Sequence, residues 1–149
     1  MVQRNDSPQG HNAKEENAMK HVHELFLQGY IVAALWSSSS SDPETGEDIE
    51  SLEGEAFGPG EIEKHRAACA DFIEHAAELL DQYAEERQFH SGGYSVWELA
   101  GHDFWLTRNG HGVGFWDRGL GELGIKLTEA AKSFGGVDLY LGDDGLVYS

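Results

Sequence analysis

The sequence is short of cations, of cysteine and of long apolar runs. Ten Lys and Arg face 27 Asp and Glu over 149 residues, a formal net charge of −17. Binding to nucleic-acid phosphates draws on cationic side chains that displace counterions, so direct nucleic-acid binding is excluded by this balance. Attraction to an anionic membrane surface is excluded on the same ground. The single cysteine, Cys69, excludes an internal disulfide framework and fits a reducing compartment. The most apolar stretch covers residues 25–36 and is interrupted by Gln28 and Gly29, too short to span a bilayer. Residues 1–13 are polar, with no cationic start followed by an apolar run, so no secretory signal is read there. The expected location is the cytoplasm.

What is present divides the chain into three parts. A polar tail over 1–13, expected to be flexible, leads into a helical pattern over about 14–36. Met19, Val22, Phe26, Ala33 and Trp36 recur there at helical spacing, widened by Leu25, Tyr30 and Val32. Gly29 lies on that stripe and weakens the helix or marks a close packing contact. The second part, residues 37–60, opens with five serines and closes on Phe57-Gly58-Pro59-Gly60. It is rich in acids and free of Lys and Arg, so it reads as a solvated loop that Leu52 and Phe57 pin locally. A long amphipathic helix is expected over about 61–89. Its apolar face is Ile62, Cys69, Phe72, Ile73, Ala76, Leu79, Leu80 and Tyr83, opposite Asp71, Glu74, Glu78, Asp81 and Glu85.

The third part, from residue 90, holds 13 of the 19 glycines and 9 of the 16 aromatics. Ser95 with Glu98 is a capping box, which predicts a short helix over 96–100 closed by Gly101. Residues 103–108 and 113–118 then read as two strands joined by Asn109-Gly110, a strong hairpin signal. A helix is expected over 122–134 and a second hairpin over 137–148, turning at Gly142-Asp143-Asp144-Gly145. The fold class expected is therefore α+β. Residues 14–149 form one domain, in which two long N-terminal helices and a short helix pack on a small antiparallel sheet of two hairpins with an intervening helix.

At the first hairpin the chain resembles a known group. The run GHDFWLTRNGHGVGFWDR at 101–118 is similar to a segment of small uncharacterised acidic proteins of tailed bacteriophages and related mobile elements. LTEAAKSF at 127–134 and VDLYLGDDGLVY at 137–148 resemble the same group, and LQGYIVAALWS at 27–37 does so more loosely. The resemblance implies a setting, a phage-encoded protein working inside a bacterial host, and it carries over no catalytic residues.

Five constellations bear on function. From Asp42 to Glu86 there are fifteen acids against Lys64 and Arg66 alone. A purely solvated surface more often mixes signs. Ordered carboxylates of this kind suit a cationic groove built for DNA or RNA, and the candidate partner-binding residues are Glu47, Asp48, Glu50, Glu53, Glu55, Asp71, Glu74, Glu78, Asp81 and Glu85. The helix stripe by itself spaces its charges about 5 Å apart along the axis. That is sparser than the ~3.4 Å per phosphate of one DNA strand, so the loop acids are needed beside it. Around the first hairpin, His102, Asp103 and His111 offer a second reading as a small enzyme, with a histidine base oriented by a carboxylate. No nucleophile elbow, phosphate loop or metal signature accompanies them, and no catalytic residue is assigned. His65 and Cys69, four apart, lack a second ligand pair, and Asp143-Asp144 lacks the alternating oxygens of a calcium loop. No metal or other cofactor is expected. Trp105 and Trp116 point away from the apolar sheet face and suggest a patch for self-association or for assembly into a phage structure.

The leading expectation is a non-enzymatic inhibitor or nucleic-acid mimic of the anti-restriction or anti-CRISPR type. It would dock on a basic groove of a host nucleic-acid-binding or defence protein.

Overall fold

A computed structural model describes residues 6–88 and 93–149, with side-chain surroundings given from residue 13. The expected α+β domain gives way to a mostly helical one. Among the described residues there are five α-helices: α1 (Asp6–Ser37), α2 (Glu61–His75), α3 (Ala77–Arg87), α4 (Val96–Arg108) and α5 (Glu122–Lys132). The strands are two residues each: β1 (Ser40–Ser41) pairs antiparallel with β2 (Asp48–Ile49), and β3 (Tyr140–Leu141) with β4 (Val147–Tyr148). The C-terminal hairpin thus forms where expected, with shorter strands. No helix among the described residues is long and apolar enough to cross a membrane.

The largest correction concerns residues 103–118. They do not form a hairpin. The capping box is present, with the Trp97 N–H donating to Ser95 Oγ at 3.1 Å and the Ser95 N–H to Glu98 Oε1 at 3.3 Å. The helix it starts does not stop at Gly101 but runs on to Arg108. Ala100, Gly101, Asp103, Phe104, Trp105, Leu106 and Thr107 are all buried. A helix buried all round shows neither a polar face nor a 3.6-residue stripe, so its aromatic run imitates a strand. Asn109-Gly110 ends α4 instead of turning a hairpin. The His111 N–H reaches the Leu106 carbonyl at 3.0 Å, and the Gly110 N–H reaches Thr107 at 3.1 Å, with Gly110 at φ 72°. This is a Schellman cap, and it asks for the same left-handed residue that a hairpin turn does. Residues 113–118 become a loop around a 3₁₀ turn, Phe115–Asp117.

Other boundaries shift less. Helix α1 begins at Asp6, inside the expected tail, with Pro8 in its first turn where no N–H is needed. Its inner face is Phe26, Leu27, Tyr30, Ala33 and Ala34, whereas Met19, Val32 and Trp36 are exposed. The single helix expected over 61–89 is broken at Ala76 (φ −110°, ψ 24°), which separates α2 from α3. Its far end, Phe89, lies outside the described residues. The apolar face expected for it does face the core: Cys69, Phe72, Ile73, Ala76, Leu80 and Tyr83 are buried.

Helix α4 lies against α1 through two glycines. A Cβ on Gly101 would collide with the Phe26 carbonyl oxygen, and one on Gly29 with the Glu98 carbonyl oxygen. Backbone therefore touches backbone at that crossing. Around it Phe72 stacks on Phe104 with ring centres 4.0 Å apart and an interplanar angle of 9°. Phe26, Tyr30, Phe115 and Phe134 complete the aromatic core.

Candidate functional site

The acidic segment is held on ordered structure. After α1 ends, the Leu52 N–H bonds the Leu35 and Ser38 carbonyls, both at 3.0 Å, and the Ser51 hydroxyl donates to the Trp36 carbonyl at 3.2 Å. The loop thus satisfies carbonyls that the end of α1 leaves open. Leu52 is fully buried beneath it and Phe57 packs against the core. Its tip turns on Asp42, whose Oδ1 accepts from the Glu44 and Thr45 N–H groups at 2.8 and 3.2 Å. The far end is tied to β4, with the Val147 N–H on the Ala56 carbonyl at 2.8 Å and the Gly58 N–H on the Val147 carbonyl at 2.9 Å.

All ten candidate acids are exposed: Glu47, Asp48, Glu50, Glu53 and Glu55 on the loop, Asp71 and Glu74 on α2, Glu78, Asp81 and Glu85 on α3. Among the described residues none of the ten enters an ion pair. The pairs present join Glu61 with Lys64, Glu24 and Glu63 with Arg66, and Asp103 with Arg118. The break at Ala76 falls within the helix stripe, between Glu74 on α2 and Glu78 on α3. The loop meets α2 at Glu61, ten residues or about 15 Å of helix before Asp71. The charges therefore sit on three elements, the loop, α2 and α3, rather than along one continuous helix.

The three residues of the enzyme reading do not converge. Asp103 is 1% exposed. Its carboxylate takes Arg118 Nη2 on Oδ1 at 2.7 Å and the Tyr83 hydroxyl on Oδ2 at 2.7 Å. Burial pushes the Tyr83 hydroxyl pKa up, and the neighbouring Asp103 adds to it. The bond to Asp103 raises that of Arg118. This is a structural ion pair that ties α4 to the 3₁₀ loop. His102 is stacked on Trp36, ring centres 6.3 Å apart, and burial lowers its pKa. His111 lines a cavity of about 230 Å³ with Ser37, Trp105 and Asn109, and neither His102 nor Asp103 is in its wall. Trp105, expected at a surface patch with Trp116, is 1% exposed and donates its indole N–H to Ser37 Oγ at 2.8 Å. Trp116 alone of the two is at the surface, 53% exposed.

A polar chain that the sequence reading did not find runs through the core. Arg108 Nη1 donates to the Tyr30 hydroxyl at 3.1 Å, and that hydroxyl is 3.3 Å from His65 Nδ1. Burial pushes Tyr30 up to about 12 and His65 down to about 4. Burial also raises the Cys69 thiol, one turn further along α2. Among the described residues no group of three or more His, Cys, Asp or Glu stands ready to hold a metal ion. The signal for this chain in the sequence was slight: His65 falls on the apolar face of α2, four residues before Cys69.

The turn at Gly142–Gly145 is internally satisfied. Asp144 accepts the Leu146 N–H at 3.0 Å and the Tyr148 hydroxyl at 2.5 Å. Compared with protein-family models, with curated proteins and with solved structures, the chain gives no match.

Proposed function

We propose that the chain is a non-enzymatic acidic inhibitor. In this reading it works in the cytoplasm of a bacterial host, in keeping with the phage-type motif, and competes with DNA or RNA for a basic groove of a host nucleic-acid-binding or defence protein. The observation that carries the reading is the set of ten exposed carboxylates on anchored elements, none of them in an ion pair among the described residues. Uncompensated charge steers association with a cationic partner, and that association weakens as salt rises. Because the acids sit on a loop and two helices, the competition is one of a charged surface with a groove, not a phosphate-by-phosphate copy of a duplex.

The test is capture from bacterial lysate at low and high salt, read by mass spectrometry, with the wild type and an Asp71→Lys, Glu74→Lys, Glu78→Lys, Asp81→Lys variant. Nucleic-acid-binding proteins are expected on the wild type at low salt, displaced by added DNA and absent from the variant. Capture that survives charge reversal undiminished rejects docking through this face.

A further inference from the structure

Helix α1 outruns the body it packs on. At 100° per residue, Met19, His23, Phe26 and Tyr30 share one face. Phe26 and Tyr30 are fully buried against rings of α2 and α4. Met19, two turns nearer the N-terminus, is 49% exposed, and Val22 and His23 beside it are half-buried. The face built for the core thus continues past the core. Under it lies an open groove of about 890 Å³, walled by Met19, Lys20, His23 and Glu24 of α1 and by Arg66 and Ala70 of α2.

The charge around this groove differs from that of the acidic surface. Residues 13–24 together with Arg66 hold Lys14, Lys20 and Arg66 against Glu15, Glu16 and Glu24, a balance of zero in a chain of net charge −17. A cationic partner is drawn to the exposed acids of the loop, α2 and α3, and an anionic one is repelled by the chain as a whole. A balanced apolar face suits a partner whose own face is apolar and balanced. A second copy of this chain supplies one.

The pairing is self-complementary. A two-fold axis at Met19 sets two α1 helices antiparallel and brings each residue level with the one equally far from Met19 on the other side. Met19 then meets the partner's Met19. Glu16 and Lys20 lie on the same flank of the shared face. The axis keeps that flank on one side, so Glu16 of each copy comes beside the partner's Lys20, and the charge pair is made twice. Arg66, paired with Glu24 and Glu63, borders the groove on that flank.

We propose that the groove under the N-terminal half of α1 is a homodimer interface, filled by the same half-helix of a second copy. The contact is small and both copies are strongly acidic, so the dimer is weak, and salt strengthens it by screening the repulsion between copies. That sign is opposite to capture by a basic groove.

The experiment is sedimentation equilibrium of the full chain over a range of protein and salt concentration. A monomer–dimer equilibrium is expected, with a dissociation constant of about 10–100 µM at about 0.15 M salt, tightening about threefold at about 0.5 M. Met19→Glu puts two carboxylates at the axis from an exposed position, and is expected to weaken the dimer at least about tenfold with an unchanged circular dichroism melt. Glu16→Lys and Lys20→Glu are each expected to weaken it, and the two together to restore it. Met19→Cys is expected to form a covalent dimer on mild oxidation. His21→Cys, exposed on the opposite face of α1, is expected to form none. A chain that stays monomeric to about 1 mM, a dimer indifferent to Met19→Glu, or a charge swap that does not restore pairing would each overturn the assignment.

Discussion

The α1–α4 crossing and the acidic loop both lie against the C-terminal half of α1, and they are built in opposite ways. At the crossing, Gly29 and Gly101 let two backbones touch, and the side chains of α4 are buried on nearly every side. The loop buries Leu52 fully and Phe57 in part and turns its carboxylates outward. Packing is therefore concentrated where charge is scarce and the buried Asp103 is paired with Arg118, and unpaired charge where there is little packing. A protein arranged this way can change its acidic surface without endangering its fold.

Breaking the crossing is expected to have the largest effect. Gly101→Val drives a side chain into the Phe26 carbonyl, which is backbone and has nowhere to move. A loss of at least about 3 kcal/mol, or failure to fold, is expected in urea denaturation followed by circular dichroism. Leu52→Ala strikes the one fully buried anchor of the loop and is expected to cost about 2–4 kcal/mol. A cost near zero would show that the loop is independent of the core.

His65 gives a comparison by pH. Its imidazole is held neutral, pushed down to about 4 from an ordinary 6.5. As pH falls, the unfolded chain takes up the proton first. The contribution is therefore complete above about 6.5 and lost as pH falls towards 4. After allowance for solvent screening, about 2 kcal/mol should disappear over that interval in the wild type, and His65→Gln should flatten the slope of denaturation midpoint against pH. The smallest effect is expected from the four-lysine variant of α2 and α3. Its side chains are exposed and free of ion pairs among the described residues, so thermal stability should move by less than about 1 kcal/mol. A large loss there would mean that the acidic surface also supports the fold.

These differences also explain what could be read in advance. The inner face of α2 and α3, the Ser95–Glu98 box, α5, the C-terminal hairpin and the anchoring role of Leu52 all follow from local periodicity, caps and turns. Helix α4 was misread because burial on all sides erases periodicity, and because Asn109-Gly110 suits a helix cap as well as a hairpin. The break at Ala76 has no glycine or proline to announce it. The Arg108–Tyr30–His65 chain joins residues 78 and 35 positions apart, and only the packed fold brings them together. The exposure of the ten acids was legible, but the division of the helix stripe between α2 and α3 depends on the break at Ala76.

Helix α4 carries one more consequence, for the order of events during folding. It is closed by a capping box at one end and by a Schellman cap at the other, and both signals come from residues within or beside it. A short helix normally pays a high nucleation penalty in water, and caps at both ends reduce it. The element that the core must enclose most completely is thus the one best able to take shape before there is a core. Whatever fraction of α4 is wound before collapse lowers the ordering left for the long closure between α1 and α4.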